Sequence, residues 1–403
     1  MQTIEIGTLP PLGEIPEYMY AQTLRRNRYN VPLKAFEIEK VKVPELREDE
    51  VLVAVMAAGL NYNSVWAATG FPMDMIQVMQ LRKEAETDFQ IAGSDCSGIV
   101  YKVGDNVKNV AVGDEVVIQA GWCESNDPFI KNGGMRIVAP SARAWGYETS
   151  WGSFAQFCKA KDFMCVPKPK HLNWDEAAVY MLSGATIYRM LTKYEPHVVK
   201  PGDVVLIWGG AGGLGTMAIQ FTKLYGGIPV AVVNSEEKKK FCESMGALAI
   251  NRCDYDHWGA LSPDMLKPET QEIWRGKAKK FLKKIMELTG GKLPRIVLEH
   301  PGEATMPTSM FVCDRDGMVV TCAGTSGYMA SFDIRYLWLQ LKRLQGSHFA
   351  DTHECVEFNQ LVIDGKINPV LGQTVSFEEL PAALQEMYNN THKGNTAIKV
   401  GYK

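Results

Sequence analysis

Most constraining in this chain is the run Gly209-Gly-Ala-Gly-Gly-Leu-Gly215, set directly behind the apolar stretch Asp203-Val-Val-Leu-Ile-Trp208 and ahead of a helical pattern over residues 216–225. A glycine loop between strand and helix admits the tight turn and close backbone approach that a dinucleotide pyrophosphate needs. The helix N-terminus adds N–H groups and the positive end of its dipole. Gly210, Gly212 and Gly215 carry the Gly-x-Gly-x-x-Gly spacing, with Gly209, Gly213 and Leu214 completing the loop. Residues 229–233, 295–299 and 317–322 read as further strands and residues 236–245 as a helix, and this alternation predicts a doubly wound parallel sheet. About 20 residues past the loop, where an NAD site carries an acid for the ribose hydroxyls, the chain reads Val233-Asn-Ser-Glu-Glu-Lys-Lys-Lys240. The first polar positions there are neutral. Ser235 and one of Lys238 or Lys239 suit a 2′-phosphate, while Glu236 reads as the first residue of the next helix, so the expected cofactor is NADPH.

The first third follows a different grammar. Val51-Leu-Val-Ala-Val-Met56 and Gly98-Ile-Val-Tyr-Lys-Val103 are strand-like, and two Gly-Asp turns separate valine-rich segments between Val103 and Val116. A compact barrel fits that pattern. The change comes near Asn173-Trp-Asp-Glu, a helix-start signature, and the βαβ rhythm ends near Ser347. The expected organisation is therefore α/β: a discontinuous barrel domain over residues 1–175 and 347–403, a dinucleotide domain over 176–346, and the reaction in the cleft between them. A cationic stretch at Arg275, Lys277, Lys279, Lys280, Lys283 and Lys284 reads as a solvated helix face or subunit contact, with a phosphate patch as the alternative.

Composition removes several classes. With 43 Lys+Arg against 46 Asp+Glu, the 403-residue chain has a net charge of -3 and no overall basic field to draw nucleic acid or a membrane surface. No apolar run approaches the roughly 18–20 residues of a membrane span. The first twenty residues hold acids and prolines where a signal peptide has a basic and then an apolar region, so a cytoplasmic protein is expected. Nine cysteines stand singly and no His-x-x-x-His pair occurs, which argues against structural zinc.

A barrel with two Gly-Asp turns, a central dinucleotide domain and a returning tail resembles the medium-chain dehydrogenase/reductase superfamily. The resemblance implies a GroES-like barrel catalytic domain and a Rossmann domain. Where the zinc alcohol dehydrogenases of that superfamily carry Gly-His-Glu, this chain has Gly93-Ser-Asp-Cys-Ser-Gly98, and their four-cysteine lobe is absent. No metal site is expected. The chain is most similar to the crotonyl-CoA carboxylase/reductase family, through Asn61-Tyr-Asn-Ser-Val-Trp-Ala-Ala, Trp145-Gly-Tyr-Glu-Thr-Ser-Trp-Gly-Ser-Phe-Ala-Gln-Phe157, Gly184-Ala-Thr-Ile-Tyr-Arg-Met-Leu191, Glu299-His-Pro-Gly-Glu-Ala-Thr305 and Lys342-Arg-Leu-Gln-Gly-Ser-His-Phe349.

That resemblance implies NADPH-dependent reductive carboxylation of a 2-enoyl-CoA with CO2, by a homotetramer built as two dimers joined through sheet extension. The implied CO2 pocket comprises Asn61 or Asn63, the backbone N–H of Tyr147, and Glu148 with His348 acting through a water. Asn61 is preferred because related reductases keep an Asn after the strand ending Ala57-Ala-Gly-Leu60. Amide, backbone N–H, carboxylate and imidazole are suitable groups for holding CO2 and fixing one water. Arg335 and Tyr336 are the implied contacts to the CoA adenine, and Thr186 is expected against the nicotinamide or ribose. His300 and His353 read as structural. Phe71, in Thr69-Gly-Phe-Pro72, occupies the place of a tyrosine proton donor in simple enoyl-thioester reductases; Phe71 has no proton to give, which favours carboxylation, although Tyr62 remains a nearby hydroxyl. The alternatives are a non-carboxylating enoyl-CoA reductase and a dinucleotide-binding scaffold without turnover.

Overall fold

The computed structural model describes residues 2–402. The chain divides into two compact units, residues 1–185 with 349–403, and residues 186–348. The helix Met181–Thr192 runs across the division.

The first unit is built on Glu50–Gly59, ten residues buried throughout. Valine and alanine on both faces explain why this strand lies in the interior. It pairs antiparallel with Asp95–Val103 on one edge and with Phe157–Lys161 and Asn395–Lys399 on the other. The path continues through Glu115–Ile118 to Cys165–Pro167 at one end and to Leu371–Val375 at the other. A smaller sheet of Tyr18–Leu24, Glu37–Lys42 and Gln90–Ile91 packs with it around Val53, Val55, Phe154 and Phe157. This is the GroES-like barrel that the sequence predicts, and the C-terminal tail contributes strands to it.

The second unit holds one six-stranded parallel sheet, ordered Leu248–Asn251, Ile228–Val233, Val204–Trp208, Pro294–Glu299, Met318–Thr321, Arg343–Gly346. The strand order reverses between Val204–Trp208 and Pro294–Glu299, the switch point at whose carboxyl ends ligands bind in such sheets. Leu206, Val230, Val297, Val319 and Phe281 form its core. The expected Rossmann fold is present. Two local expectations need correction. The helix placed at residues 216–225 begins three residues earlier, as Gly213–Leu224, so its first turn is made by the loop glycines themselves. The helical run after Asn173 is interrupted: Trp174–Ala177, opened by an Asn173/Glu176 capping box, is separate from Met181–Thr192. The cationic stretch lies within Pro268–Thr289, where Lys277 pairs with Asp256 at 2.7 Å and Lys279, Lys280 and Lys283 are exposed.

Candidate active site

In the first unit, two of the blocks singled out in the sequence meet at Gly93-Ser94-Asp95. Asn61 stands at the N-cap of the helix Tyr62–Thr69, but its side chain caps nothing. Instead its Nδ2 donates to Asp95 Oδ2 at 2.8 Å, while Asn63 Nδ2 donates to Ser94 Oγ at 2.7 Å. The 145–154 block is laced to the same segment by Ser153 N–H to Gly93 O and Phe154 N–H to Ala92 O, both 3.0 Å. Gly146, at φ +70°, comes so near that a Cβ there would lie 1.9 Å from Gly93 O. Only glycine permits that approach. Tyr147 is half-buried with its ring 6.2 Å from that of Trp66, which in turn meets Tyr62 at 5.5 Å.

The structure qualifies two expected roles here. The Tyr147 N–H already donates to Ala144 O at 3.1 Å, and the Glu148 N–H shares that acceptor at 2.7 Å. Glu148 Oε2 accepts from Ala144 N–H at 2.9 Å, which closes the turn, while Oε1 lies 3.9 Å from Arg82. Phe71 is 64% exposed, just beyond the helix Tyr62–Thr69. Burial pushes the Tyr62 phenol up.

Asp95 is buried, and no ion pair involves it among the described residues. Burial pushes its carboxyl up to about 7 against the opposing pull of Asn61 and of Leu182 N–H, which meets Oδ1 at 2.9 Å. Sequence reasoning takes Ser94 and Asp95 only as substitutes for a zinc-ligand pair. The available signal was two polar residues within the otherwise apolar Ile91-Ala-Gly-Ser-Asp-Cys96. Among the described residues, no three His, Cys, Asp or Glu side chains gather as a metal-ligand group.

In the second unit the glycine loop fits a dinucleotide. A Cβ on Gly210 would meet Ala231 Cβ at 2.6 Å, and one on Gly215 would meet Gly209 O at 2.4 Å, so the loop closes onto its strand only as glycine. Gly213, Leu214 and Gly215 supply first-turn N–H groups, which lack intrahelical acceptors and suit a pyrophosphate. Ser235 caps the helix Glu236–Ser244 by accepting from Lys238 N–H at 3.2 Å. The two candidate lysines differ: Lys238 is buried, whereas Lys239 lies 3.6 Å from Glu236. Glu236 does begin the helix, and it also accepts from Asn251 at 3.0 Å. Thr186 is buried within its helix.

Behind the loop, a small crevice is lined by residues including Leu214, Gly215, Glu299 and His300. His300 bonds Trp208 O at 2.9 Å through Nε2, which matches its structural reading, and burial keeps its pKa low. His353 bonds Asp351 at 2.9 Å, again a structural contact, in the first unit. His348 is exposed at the end of the edge strand, following Ser347, whose Oγ accepts from Tyr194 O–H at 2.9 Å. Arg335 is held by Asp333 at 2.6 Å and donates to Gln271 at 3.0 Å, and Arg275 approaches the same carboxylate at 3.7 Å. Tyr336 packs edge-on against Phe311 at 5.3 Å.

Comparison with known proteins agrees with both units. The alcohol dehydrogenase GroES-like domain profile matches residues 47–170, and the zinc-binding dehydrogenase profile matches residues 213–364. The chain is 46% identical to the crotonyl-CoA carboxylase/reductase of Cereibacter sphaeroides over 98% of this chain and 91% of that one. Among solved structures, the crotonyl-CoA carboxylase/reductase AntE in complex with NADP is 48% identical with a TM-score of 0.94, covering 99% of this chain and 98% of that one. The 2-octenoyl-CoA carboxylase reductase CinF in complex with NADP and 2-octenoyl-CoA is 35% identical with a TM-score of 0.88, covering 96% and 88%. On its barrel, its glycine loop and this near full-length identity, the chain belongs to the crotonyl-CoA carboxylase/reductase family of the medium-chain dehydrogenase/reductase superfamily.

Proposed function

We propose that this protein is an NADPH-dependent reductive carboxylase of 2-enoyl-CoA thioesters of the crotonyl-CoA type, yielding an alkylmalonyl-CoA. The observation that carries this reading is 46% identity over nearly the full chain to a crotonyl-CoA carboxylase/reductase, and the bonds of Asn61 and Asn63 to Asp95 and Ser94, with the 145–154 block laced to the same segment, support it. NADPH, when bound, supplies the hydride that adds to Cβ of the enoyl thioester. The glycine loop and the first helical turn would hold its pyrophosphate, Ser235 with one of Lys238 or Lys239 its 2′-phosphate, and Thr186 its nicotinamide or ribose. Lys239, paired with Glu236, stands as the second cation.

Once Cβ is reduced, negative charge rests on Cα and the thioester oxygen, and the protein decides which electrophile that enolate meets. CO2 wins only if it is held beside Cα and protons are kept away. Asn61 or Asn63 provides an amide donor for CO2, the Tyr147 N–H joins it only by giving up or sharing its bond to Ala144 O, and Glu148 and His348 are each suited to hold a water as a further donor. The half-buried rings of Tyr62, Trp66 and Tyr147 limit access of bulk water, and Phe71 has no proton to deliver. Arg335 and Tyr336 receive the CoA adenine. In this reading residues 1–175 with 347–403 form the catalytic domain and residues 176–346 the NADPH domain, in a cytoplasmic homotetramer.

The test is product analysis with NADPH and crotonyl-CoA, with and without bicarbonate plus carbonic anhydrase. Ethylmalonyl-CoA is the expected product when CO2 is present. Butyryl-CoA formed at the same rate with or without CO2 establishes simple reduction instead, and no NADPH oxidation across several enoyl-CoAs leaves a scaffold. Glu148→Ala and His348→Asn are expected to shift product toward butyryl-CoA, and unaltered carboxylation in both removes those residues from the pocket.

A further inference from the structure

Asp95 invests a fully buried carboxylate in two neutral donors. Oδ1 caps the start of the helix Met181–Thr192 through Leu182 N–H, and Oδ2 takes Asn61 Nδ2. The barrel accommodates it closely: a Cβ on Gly59 would lie 2.8 Å from Asp95 Cβ and 2.3 Å from Ala178 O. A helix cap alone does not explain the second contact, because a serine or asparagine satisfies one N–H without burying a charge.

Asn61 makes a matching departure. At an N-cap, asparagine ordinarily turns its Oδ1 to the first-turn N–H groups, a contact worth about 1 kcal/mol. Here it does not, and the Ser64 N–H is met by the Asn61 backbone carbonyl at 3.0 Å instead. An amide is nearly symmetric in shape, so its orientation is set only by what faces it. An ionised carboxylate only accepts hydrogen bonds. Above its pKa of about 7 Asp95 is ionised, and the amide facing it must then present its NH2, as it does to Oδ2 at 2.8 Å, while its Oδ1 and second N–H are left without a protein partner among the described residues.

We infer that Asp95 is a positioning residue for carboxylation, fixing the Asn61 amide in the one orientation that offers its second N–H and Oδ1 to the reacting acyl group and CO2. The neighbouring Asn63 differs: its Nδ2 donates to Ser94 Oγ, a hydroxyl that can also donate, so no comparable orientation is imposed on it. This inference rests on the proposed reductive carboxylation, and it concerns a residue that touches neither substrate nor cofactor.

The decisive variant is D95N in the full chain. It keeps the shape and an acceptor for Leu182 N–H, but an amide both donates and accepts, so Asn61 gains a second orientation. With crotonyl-CoA and fixed CO2, the ratio of ethylmalonyl-CoA to butyryl-CoA is expected to fall about tenfold, the worth of one hydrogen bond to a charged group. The KM for NADPH is expected to stay within about twofold, because the mutation leaves the glycine loop untouched. Added to N61A, D95N is expected to change the ratio by less than about twofold, since both substitutions act through one amide. Asp95→Ser, too short to reach Asn61, supplies a second variant with the same expected loss. If wild type carboxylates and D95N or Asp95→Ser keeps its product ratio, or if the N61A and D95N effects multiply, the positioning role is overturned while the proposed function stands. If wild type itself yields only butyryl-CoA, both fall.

Discussion

At Glu299 the second unit buries a carboxylate completely and surrounds it with donors: Gly302 N–H at 2.9 Å, Thr305 Oγ1 at 2.6 Å and the Ser309 hydroxyl, which also accepts from Trp208 Nε1 at 2.8 Å. The donors pull its pKa down, but burial outweighs them and pushes it up to about 7. An acid raised above its unfolded value of 4.5 favours the protonated form in the fold. Below pH 4.5 both states hold the proton; between there and about 7 only the unfolded chain releases it, so stability falls as pH rises through that window. The full effect is on the order of 3 kcal/mol. Glu299→Gln removes the titration, so its urea midpoint relative to wild type is expected to climb from pH 4.5 to 7; a constant difference refutes this. Single residues such as this one were the least legible part of the sequence. Glu299 stood inside a quoted block, yet its partners lie three to ten positions away on a turn and helix whose packing no local pattern fixes. Asp95 was hidden for the same reason, its two donors, Asn61 and Leu182, coming from separate segments.

Elements were far more readable, because their signals are local. The glycine loop, the valine-rich strands and the Asn173/Glu176 capping box each announce themselves within a few residues, and each formed as expected. What escaped was the helix start at Gly213 and the break before Met181, both set by tertiary contacts: the loop packed on its own strand, and Asp95 reaching Leu182 from another strand. Two helical glycines show how context separates similar residues. A Cβ on Gly215 would meet Gly209 O at 2.4 Å and Gly210 Cα at 2.5 Å, whereas one on Gly276 meets nothing within 4 Å. Gly215→Ala is expected to destabilise the fold by roughly 1–3 kcal/mol through overpacking. Because it pushes the first helical turn off the loop, it is also expected to weaken NADPH binding in a fluorescence titration. Gly276→Ala, in the interior of Pro268–Thr289, is expected to stabilise by about 0.5–1 kcal/mol with NADPH affinity unchanged. Equal melting shifts of the same sign in both variants contradict this assignment.

For the whole molecule, the edge of the parallel sheet carries the argument. Among the described residues Arg343–Gly346 pairs with a strand on one side only, Met318–Thr321, so its other side is an edge that a further strand can join. The residues leading into and along it are unusually apolar for a surface: Leu341 is 65% exposed, Leu339 60%, and Ile334, Trp338 and Leu344 are exposed too. A free edge flanked by exposed leucines and a tryptophan fits pairing with the same strand of a second copy, which satisfies the backbone and covers the side chains in one contact. Each leucine fully buried in this way contributes about 1.5–3 kcal/mol. An aspartate at the same position carries a charge into that contact and opposes it. Leu341→Asp combined with Leu344→Asp is therefore expected to lower the assembly mass measured by light scattering, from the four copies of the proposed tetramer to two or one. The melting temperature of the separated protomer is expected to become independent of protein concentration, because dissociation no longer precedes unfolding. A mass unchanged by the double substitution moves the contact away from this edge, and a wild-type mass of a single copy removes the tetramer altogether.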